Sequence, residues 1–128
     1  MDQTTQYRQL QPEDRMTMAS MKQQGSSARA MADVRVIAAR PHPLDSPENR
    51  QVRDYLTARM RSLGLEPRVQ RDTDLGVENI IGVLPGSNRA APALALMAHY
   101  DSAPGSPGAG DDAAGAAVAL EVVRAIKA

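Results

Sequence analysis

The chain has no cysteine, phenylalanine or tryptophan, and only 2% of its 128 residues are aromatic. Without cysteine it can form neither disulfides nor thiolate zinc ligands, and it holds no cysteine nucleophile. Its core must be built from alanine, valine, leucine, isoleucine and methionine, so we expect that core to be thin. The same lack of aromatic rings removes the platforms on which nucleic-acid-binding proteins stack bases.

The chain also lacks an excess of charge and a long apolar run. Its 15 basic residues balance 15 acidic ones, so it has no positive field that would attract nucleic acid. No run of about 18 apolar residues occurs, and the N-terminus lacks the apolar region of a signal peptide. We therefore expect no nucleic-acid partner and no membrane contact from this segment. The compartment and the oligomeric state are left open.

The sequence divides into a polar tail and an α/β body. Residues 1–26 are rich in glutamine, methionine and threonine and show no apolar period, which predicts a disordered extension. In the body, Ser27 is the expected N-cap of a helix that runs to about Ala39. A second helix has Ser46 as N-cap and Pro47 in its first turn, and it ends at Gly64.

Three strands and a third helix follow. The predicted strands are an edge strand, an inner strand and a central strand, over Arg68 to Arg71, Asn79 to Leu84 and Ala93 to Ala98. The last helix is apolar nearly all round, which suits burial against a sheet. This apolar character comes from residues that include Val118, Val122, Val123 and Ile126.

Groups able to bind a metal converge after the predicted central strand. His99 follows that strand directly, at the place where catalytic groups of α/β proteins usually lie. Residues two apart on an extended segment point the same way, so the Asp101 carboxylate can lie beside the His99 ring and fix its tautomer. The loop at residues 103–110 is rich in proline and glycine and brings Asp111 back to the same edge.

These residues resemble a known family. His99-Tyr100-Asp101-Ser102 and the run from Pro107 to Gly115 are similar to the first half of the active-site signature of the co-catalytic di-zinc exopeptidases, metallopeptidase family twenty-eight. The segments Ile37 to Pro43 and Ser46 to Leu56 resemble the sequence that precedes the catalytic sheet in the endoplasmic-reticulum-type branch of this family. Relatives in this family are often extracytoplasmic or membrane-anchored. The resemblance runs from about Ala28 to the last residue and implies a three-layer α/β/α zinc-exopeptidase domain.

The resemblance also implies a role for each site residue. His99 would bind one zinc ion, Asp111 would bridge both, and Asp101 would orient His99 during hydrolysis of a terminal peptide bond. A zinc site needs three or four protein ligands, yet this chain supplies two. The later Glu-Glu pair, Asp and His that the resemblance calls for are missing. We therefore expect residues 27–128 to be the N-terminal part of a peptidase domain, truncated at its C-terminal end and inactive alone.

Two positions depart from the family pattern. Gly110 stands where relatives often carry Asp or Asn, and Asp45 stands where many have glycine before the serine. Neither is an expected metal ligand, so both bear on loop geometry and not on the chemistry.

The other polar residues have ordinary explanations. His42, between two prolines, is expected to be a loop residue. Asp112 is expected to favour the positive end of the helix that it opens, and Glu121 to be a solvated or helix-paired charge. Ser102 has no second histidine as a base, so a serine hydrolase is poorly supported.

Rival functions are less consistent with the motif. A nucleotide-binding loop is disfavoured because the glycines do not follow G-x-G-x-x-G and two aspartates would repel a pyrophosphate. Metal-dependent carboxypeptidases and amidohydrolases of the family-twenty type share the His-x-Asp and the bridging Asp, but usually have a Lys-containing turn afterwards. The run from Asp111 to Gly115 favours the aminopeptidase branch. A non-catalytic fragment or interaction module is the remaining alternative.

Overall fold

The computed structural model describes residues 25–127. The elements in chain order are α1 (Ser27–Ile37), α2 (Pro47–Ser62), β1 (Arg68–Asp72), β2 (Val77–Ile81) and α3 (Ala114–Lys127). The predicted mixed α/β class and the three predicted helices are confirmed. The predicted disordered tail falls almost entirely on residues 1–24, which lie outside the described residues.

Helix α1 begins one residue earlier than predicted. Ser26, and not Ser27, is the N-cap, because the Ser26 Oγ accepts the Arg29 N–H at 3.3 Å. An N-cap side chain binds the N–H of the second or third helical residue, and two adjacent serines offer the chain two such caps. The helix ends at Ile37, short of the predicted Ala39.

Helix α2 has the bounds that its capping residues predict. The Ser46 Oγ accepts the Asn49 N–H at 3.0 Å, and Pro47 is the first helical residue. Gly64, with a φ of 75°, follows the C-cap at Leu63. This left-handed conformation favours glycine and ends the helix.

The two strands form an antiparallel hairpin, in which Arg68 lies opposite Ile81 and Asp72 opposite Val77. The predicted edge strand is confirmed with one more residue. The predicted inner strand is wrong in its bounds: β2 begins and ends earlier than Asn79 to Leu84 and has one neighbour among the described residues. An Asp72 carboxylate oxygen accepts the N–H groups of residues 74 and 75, which closes the turn between the strands.

The predicted central strand over Ala93 to Ala98 is wrong for this structure. The segment pairs with no strand among residues 25–127, and Leu94 and Met97 are 84% and 91% exposed. Apolar residues favour a strand only where a neighbour takes up its N–H and C=O groups. The two strands that the structure describes are paired with each other at a distance from this segment.

The core lies between the three helices and consists of small and aliphatic side chains, as the composition predicts. Its buried members are Val34, Ile37, Val52, Leu56, Ala113, Ala116, Ala117 and Leu120. The predicted burial of α3 on all sides is wrong. Its inner face is built from alanines and Leu120, which allow close approach of α1, while Val118 and Ile126 are 55% and 52% exposed. Within residues 25–127, no helix has the length and apolar character needed to cross a bilayer.

Candidate functional site

The predicted site residues lie together, shortly before the start of α3. The His99 Nε2 lies 2.9 Å from an Asp111 carboxylate oxygen. The His99 Nδ1 lies 3.1 Å from the backbone oxygen of Asp101 and 3.3 Å from its carboxylate. The structure thus brings together the three residues that the sequence singled out, and it places Asp101 on the opposite ring nitrogen from Asp111.

Asp111 is placed by a wide turn, Ala109–Ala113, that leads into α3. The N–H of Ala113 donates to the Gly108 oxygen at 3.1 Å, five residues back, as in a π-helical turn. Within the turn the Asp111-Asp112 peptide bond is cis and both aspartates have non-helical backbones, with φ of −139° and −131°. The Asp111 side chain is 92% exposed.

Asp112 has the helix-end position that was predicted for it. One of its carboxylate oxygens accepts the N–H of Gly115 at 3.1 Å in the first turn of α3. A carboxylate at this end satisfies a backbone donor that has no partner within the helix and interacts favourably with the helix dipole. A Cβ at residue 115 would collide with that carboxylate. Glycine is therefore required there for this cap.

Two carboxylates determine the chemistry of the His99 ring. The hydrogen bond that the His99 Nε2–H donates to the Asp111 carboxylate is the main cause that raises the pKa of His99 above its ordinary value. Both ring nitrogens face oxygen acceptors, so the protonated ring donates to Asp101 through Nδ1 and to Asp111 through Nε2. Loss of the Nε2 proton leaves the tautomer that keeps its proton on Nδ1. That is the tautomer in which an imidazole binds a metal through Nε2 while a carbonyl or carboxylate holds the other nitrogen.

The three side chains line an open depression of about 520 Å³. His99 is 50% exposed and Asp101 46% exposed, so solvent and small solutes reach both. The rest of the wall is largely apolar and is formed by Pro43, Leu44, Ser102, Ala103 and Pro104.

The donor set fits a metal in type but not in number. Imidazole nitrogen and carboxylate oxygen are both zinc ligands, and His99 and Asp111 aim them at the same point. Among residues 25–127, however, no three or more His, Asp or Glu groups are placed to hold one ion. Two donors leave a zinc ion short of the three or four protein ligands that it normally has.

His42 lies in a loop, as the sequence predicts, but it is buried. Its side chain is 2% exposed, and its Nδ1 lies 2.8 Å from the Arg40 oxygen. Ser102 is also buried, at 4%, and its Oγ accepts the His42 N–H at 2.8 Å. This contact joins positions 60 residues apart, and no local pattern in the sequence indicates it.

Glu121 and Asp45 acquire definite structural roles. Glu121 is helix-paired as predicted, with Arg124 at 2.9 Å, and it also binds Arg29 and the Ser26 N–H of α1. Asp45 has a φ of 64°. This left-handed conformation favours glycine, which agrees with the glycine that the family pattern has there.

Comparison with known proteins agrees with the motif. Residues 79–128 match the model of peptidase family M28. The chain is 36% identical over 101 residues to a vacuolar membrane protease of Candida albicans (strain SC5314), a match that covers 72% of this chain and 12% of that protein. It is 30% identical over 122 residues to the vacuolar membrane protease of Candida glabrata, covering 74% and 13%.

A bacterial relative matches a shorter part of the chain. Over 51 residues the chain is 45% identical to the aminopeptidase YwaD of Bacillus subtilis (strain 168), covering 39% of this chain and 11% of that enzyme. No solved structure gives a significant match. The chain therefore spans about an eighth of the length of these two vacuolar membrane proteases. The resemblance to family twenty-eight drawn from the motifs is confirmed.

Proposed function

The chain belongs to peptidase family M28 through residues 79–128, and we propose that it contributes one half of a zinc exopeptidase site. In this proposal His99 and Asp111 hold the metal, Asp101 orients His99, and the substrate is a peptide cleaved at a terminal bond. The remaining ligands and the general base are not among these 128 residues and would have to be supplied from elsewhere. The name of the bacterial relative favours aminopeptidase over carboxypeptidase action.

The observation that carries the proposal is the contact between His99 and Asp111. These side chains come from different segments, 12 residues apart, and their nitrogen and oxygen are 2.9 Å apart at the mouth of an open depression. Two ligands of one tetrahedral zinc ion, each about 2.0 to 2.2 Å from the metal, lie about 3.3 to 3.6 Å apart, so this pair would have to separate by about half an ångström to admit the ion. A purely structural pair would more often be buried, yet Asp111 is 92% exposed.

Each residue has a separate task in this site. Asp101 accepts the Nδ1 proton of His99 and so keeps the Nε2 lone pair available. The cap formed by Asp112 anchors the start of α3, which fixes the turn that presents Asp111. The apolar wall at Pro43, Leu44 and Pro104 offers a surface for an apolar part of the substrate. When bound, zinc supplies Lewis acidity toward a carbonyl and a water of lowered pKa.

A zinc titration followed by nuclear magnetic resonance tests the assignment. We expect Zn²⁺ to shift the ring signals of His99 and to leave those of His42 unchanged, because His42 is buried and hydrogen-bonded. Asp111→Asn should weaken the binding. The exposed Asp74→Asn, on the hairpin turn, serves as a control of equal charge change. Zinc-induced shifts that are the same in the Asp111→Asn and unaltered chains would contradict the proposal.

A further inference from the structure

We propose that Ser102 is a positioning residue that fixes the separation of His99 and Asp111, acting through a buried contact among three loops. This inference rests on the proposed function, because the separation matters for a ligand pair. The contact consists of His42, Ser102 and Gly108, which we call the loop junction. Each member belongs to a different stretch of chain: the α1–α2 connection, the segment after His99, and the loop before Asp111.

The first side of the loop junction is a reciprocal pair of hydrogen bonds. The His42 N–H donates to the Ser102 Oγ at 2.8 Å, and the Ser102 N–H donates to the His42 oxygen at 3.2 Å. The Asn49 side chain, in the first turn of α2, donates to the same His42 oxygen at 3.3 Å. The segment that carries His99 and Asp101 is thereby tied to the N-terminus of α2.

On the second side of the loop junction, the backbone of Gly108 lies close to the side chain of Ser102. Gly108 has a φ of 65°, and a Cβ added there would lie 3.0 Å from the Ser102 Cβ and 2.8 Å from the Asp111 oxygen. The loop that delivers Asp111 therefore lies directly against Ser102. The Ser102 side chain belongs to the segment that carries His99 and packs against the loop that carries Asp111.

Burial distinguishes the loop junction from the residues that it supports. His42 and Ser102 are 2% and 4% exposed, whereas His99 and Asp111 are 50% and 92% exposed. Exposed side chains on loops have little packing to hold them, so their separation depends on the backbone beneath. The loop junction is the buried, hydrogen-bonded part of that backbone. Loss of the Ser102 hydroxyl would leave the buried His42 N–H without this acceptor and loosen the tie between the His99 segment and the α1–α2 connection.

The test compares two buried hydroxyl groups in the chain. Ser102→Ala removes the loop-junction hydroxyl, and Thr57→Val removes a hydroxyl of similar burial that bonds to the Arg53 oxygen within α2. Two quantities are measured on each variant: nuclear Overhauser contacts between the His99 ring and the Asp111 β-protons without metal, and the Kd for Zn²⁺. We expect Ser102→Ala to weaken the contacts and to raise the Kd about 10-fold, as for other residues that orient ligands. Thr57→Val should change neither.

Each alternative result has a defined meaning. Equal effects of the two variants, or a loss of stability in Ser102→Ala with unchanged contacts, would overturn the positioning role. If the unaltered chain binds no Zn²⁺, the proposed function fails, while the metal-free contacts still decide the role of Ser102. If Ser102→Ala does not fold, Gly108→Ala replaces it. It keeps the hydroxyl but must displace the Asp111 backbone, and unchanged His99–Asp111 contacts in that variant would count against the loop junction.

Discussion

At the scale of single residues, His99 and Asp101 sit next to each other but have different tasks. The ring nitrogen that faces Asp111 is the proposed ligand atom, whereas Asp101 contacts the other nitrogen. Removing a ligand abolishes the site, while removing the partner of a ligand leaves the ligand less well oriented. The two positions can therefore be separated by mutation.

We predict that His99→Ala nearly abolishes activity in a protein that carries the complete two-metal site. Asp101→Asn should cost about 10- to 100-fold, since it changes the orientation and basicity of His99 without removing a donor to the metal. Hydrolysis of leucine p-nitroanilide, with the zinc content measured in parallel, provides the readout. Small and equal effects of both substitutions would show that His99 has only a structural role.

Glu121 gives the strongest electrostatic prediction outside the site. The guanidinium of Arg124, with further bonds from Arg29 and Ser26, lowers the pKa of Glu121 to about 2. Because this pKa lies below that of the unfolded chain, the contribution to stability is present above about pH 4.5 and is lost as the pH falls through about 2.

We expect Glu121→Gln to lower the free energy of unfolding at neutral pH by on the order of 1 kcal/mol. The difference from the unaltered chain should shrink between about pH 4.5 and 2. Urea unfolding at a series of pH values measures both quantities. Glu66→Gln, at an exposed position, is the control and should have little effect at any pH. A difference that grows toward acid pH would contradict the assignment.

At the scale of elements, α2 links helix capping to the site. Ser46 caps the helix, and Asn49 in the same first turn both donates its N–H to Ser46 and holds the His42 oxygen. The hairpin has no such connection to His99, apart from the bond between the Tyr100 hydroxyl and the Glu78 oxygen at 3.0 Å. The start of α2 is thus the rigid support nearest to the loop junction.

Ser46→Ala should lower the free energy of unfolding by about 1 kcal/mol, the usual cost of losing a serine N-cap. It should also broaden the amide signals of residues 42 and 102, because the first turn of α2 would fray beneath them. Ser87→Ala, at an exposed loop position, is the matched serine control. Thermal unfolding and an amide spectrum are sufficient, and an unchanged Tm for Ser46→Ala would rule out the capping role.

The elements show where local sequence information is enough. Ser46, Pro47 and Gly64 set the ends of α2 through bonds within a few residues, so the sequence predicts that helix closely. The strand predicted at Ala93 to Ala98 depends on a neighbour elsewhere in the chain, and apolar composition alone cannot indicate whether that neighbour is present.

The same distinction applies to the site. The positions of His99 and Asp101 follow from their spacing of two, and the position of Asp111 follows from the Pro- and Gly-rich loop. The contact between His42 and Ser102 spans 60 residues and uses backbone groups, which every residue has. It therefore leaves no signature in the sequence, which predicts a loop residue at His42 but not its burial or its partner.

At the scale of the whole molecule, the ligand count limits what this polypeptide can do. Its described residues offer two donors at one point, and a zinc ion needs more. We predict that the isolated 128-residue polypeptide binds Zn²⁺ weakly and hydrolyses no leucine p-nitroanilide. The prediction would be contradicted if the purified polypeptide hydrolysed this substrate, lost the activity to a chelator and did so at a rate that follows its zinc content. Two protein ligands would then be sufficient for catalysis.

The exposed segment Ala93 to Ala98 has a consequence for how the isolated polypeptide behaves in concentrated solution. Its backbone pairs with no strand of the described residues, it carries no charge, and Leu94 and Met97 face solvent. Short uncharged apolar segments with free edges act as templates for intermolecular β-pairing. We expect light scattering to rise with protein concentration and Leu94→Lys to suppress that rise, whereas Arg89→Lys, at another exposed position, should not. Colloidal stability would then be controlled by the segment that leads into the proposed metal site.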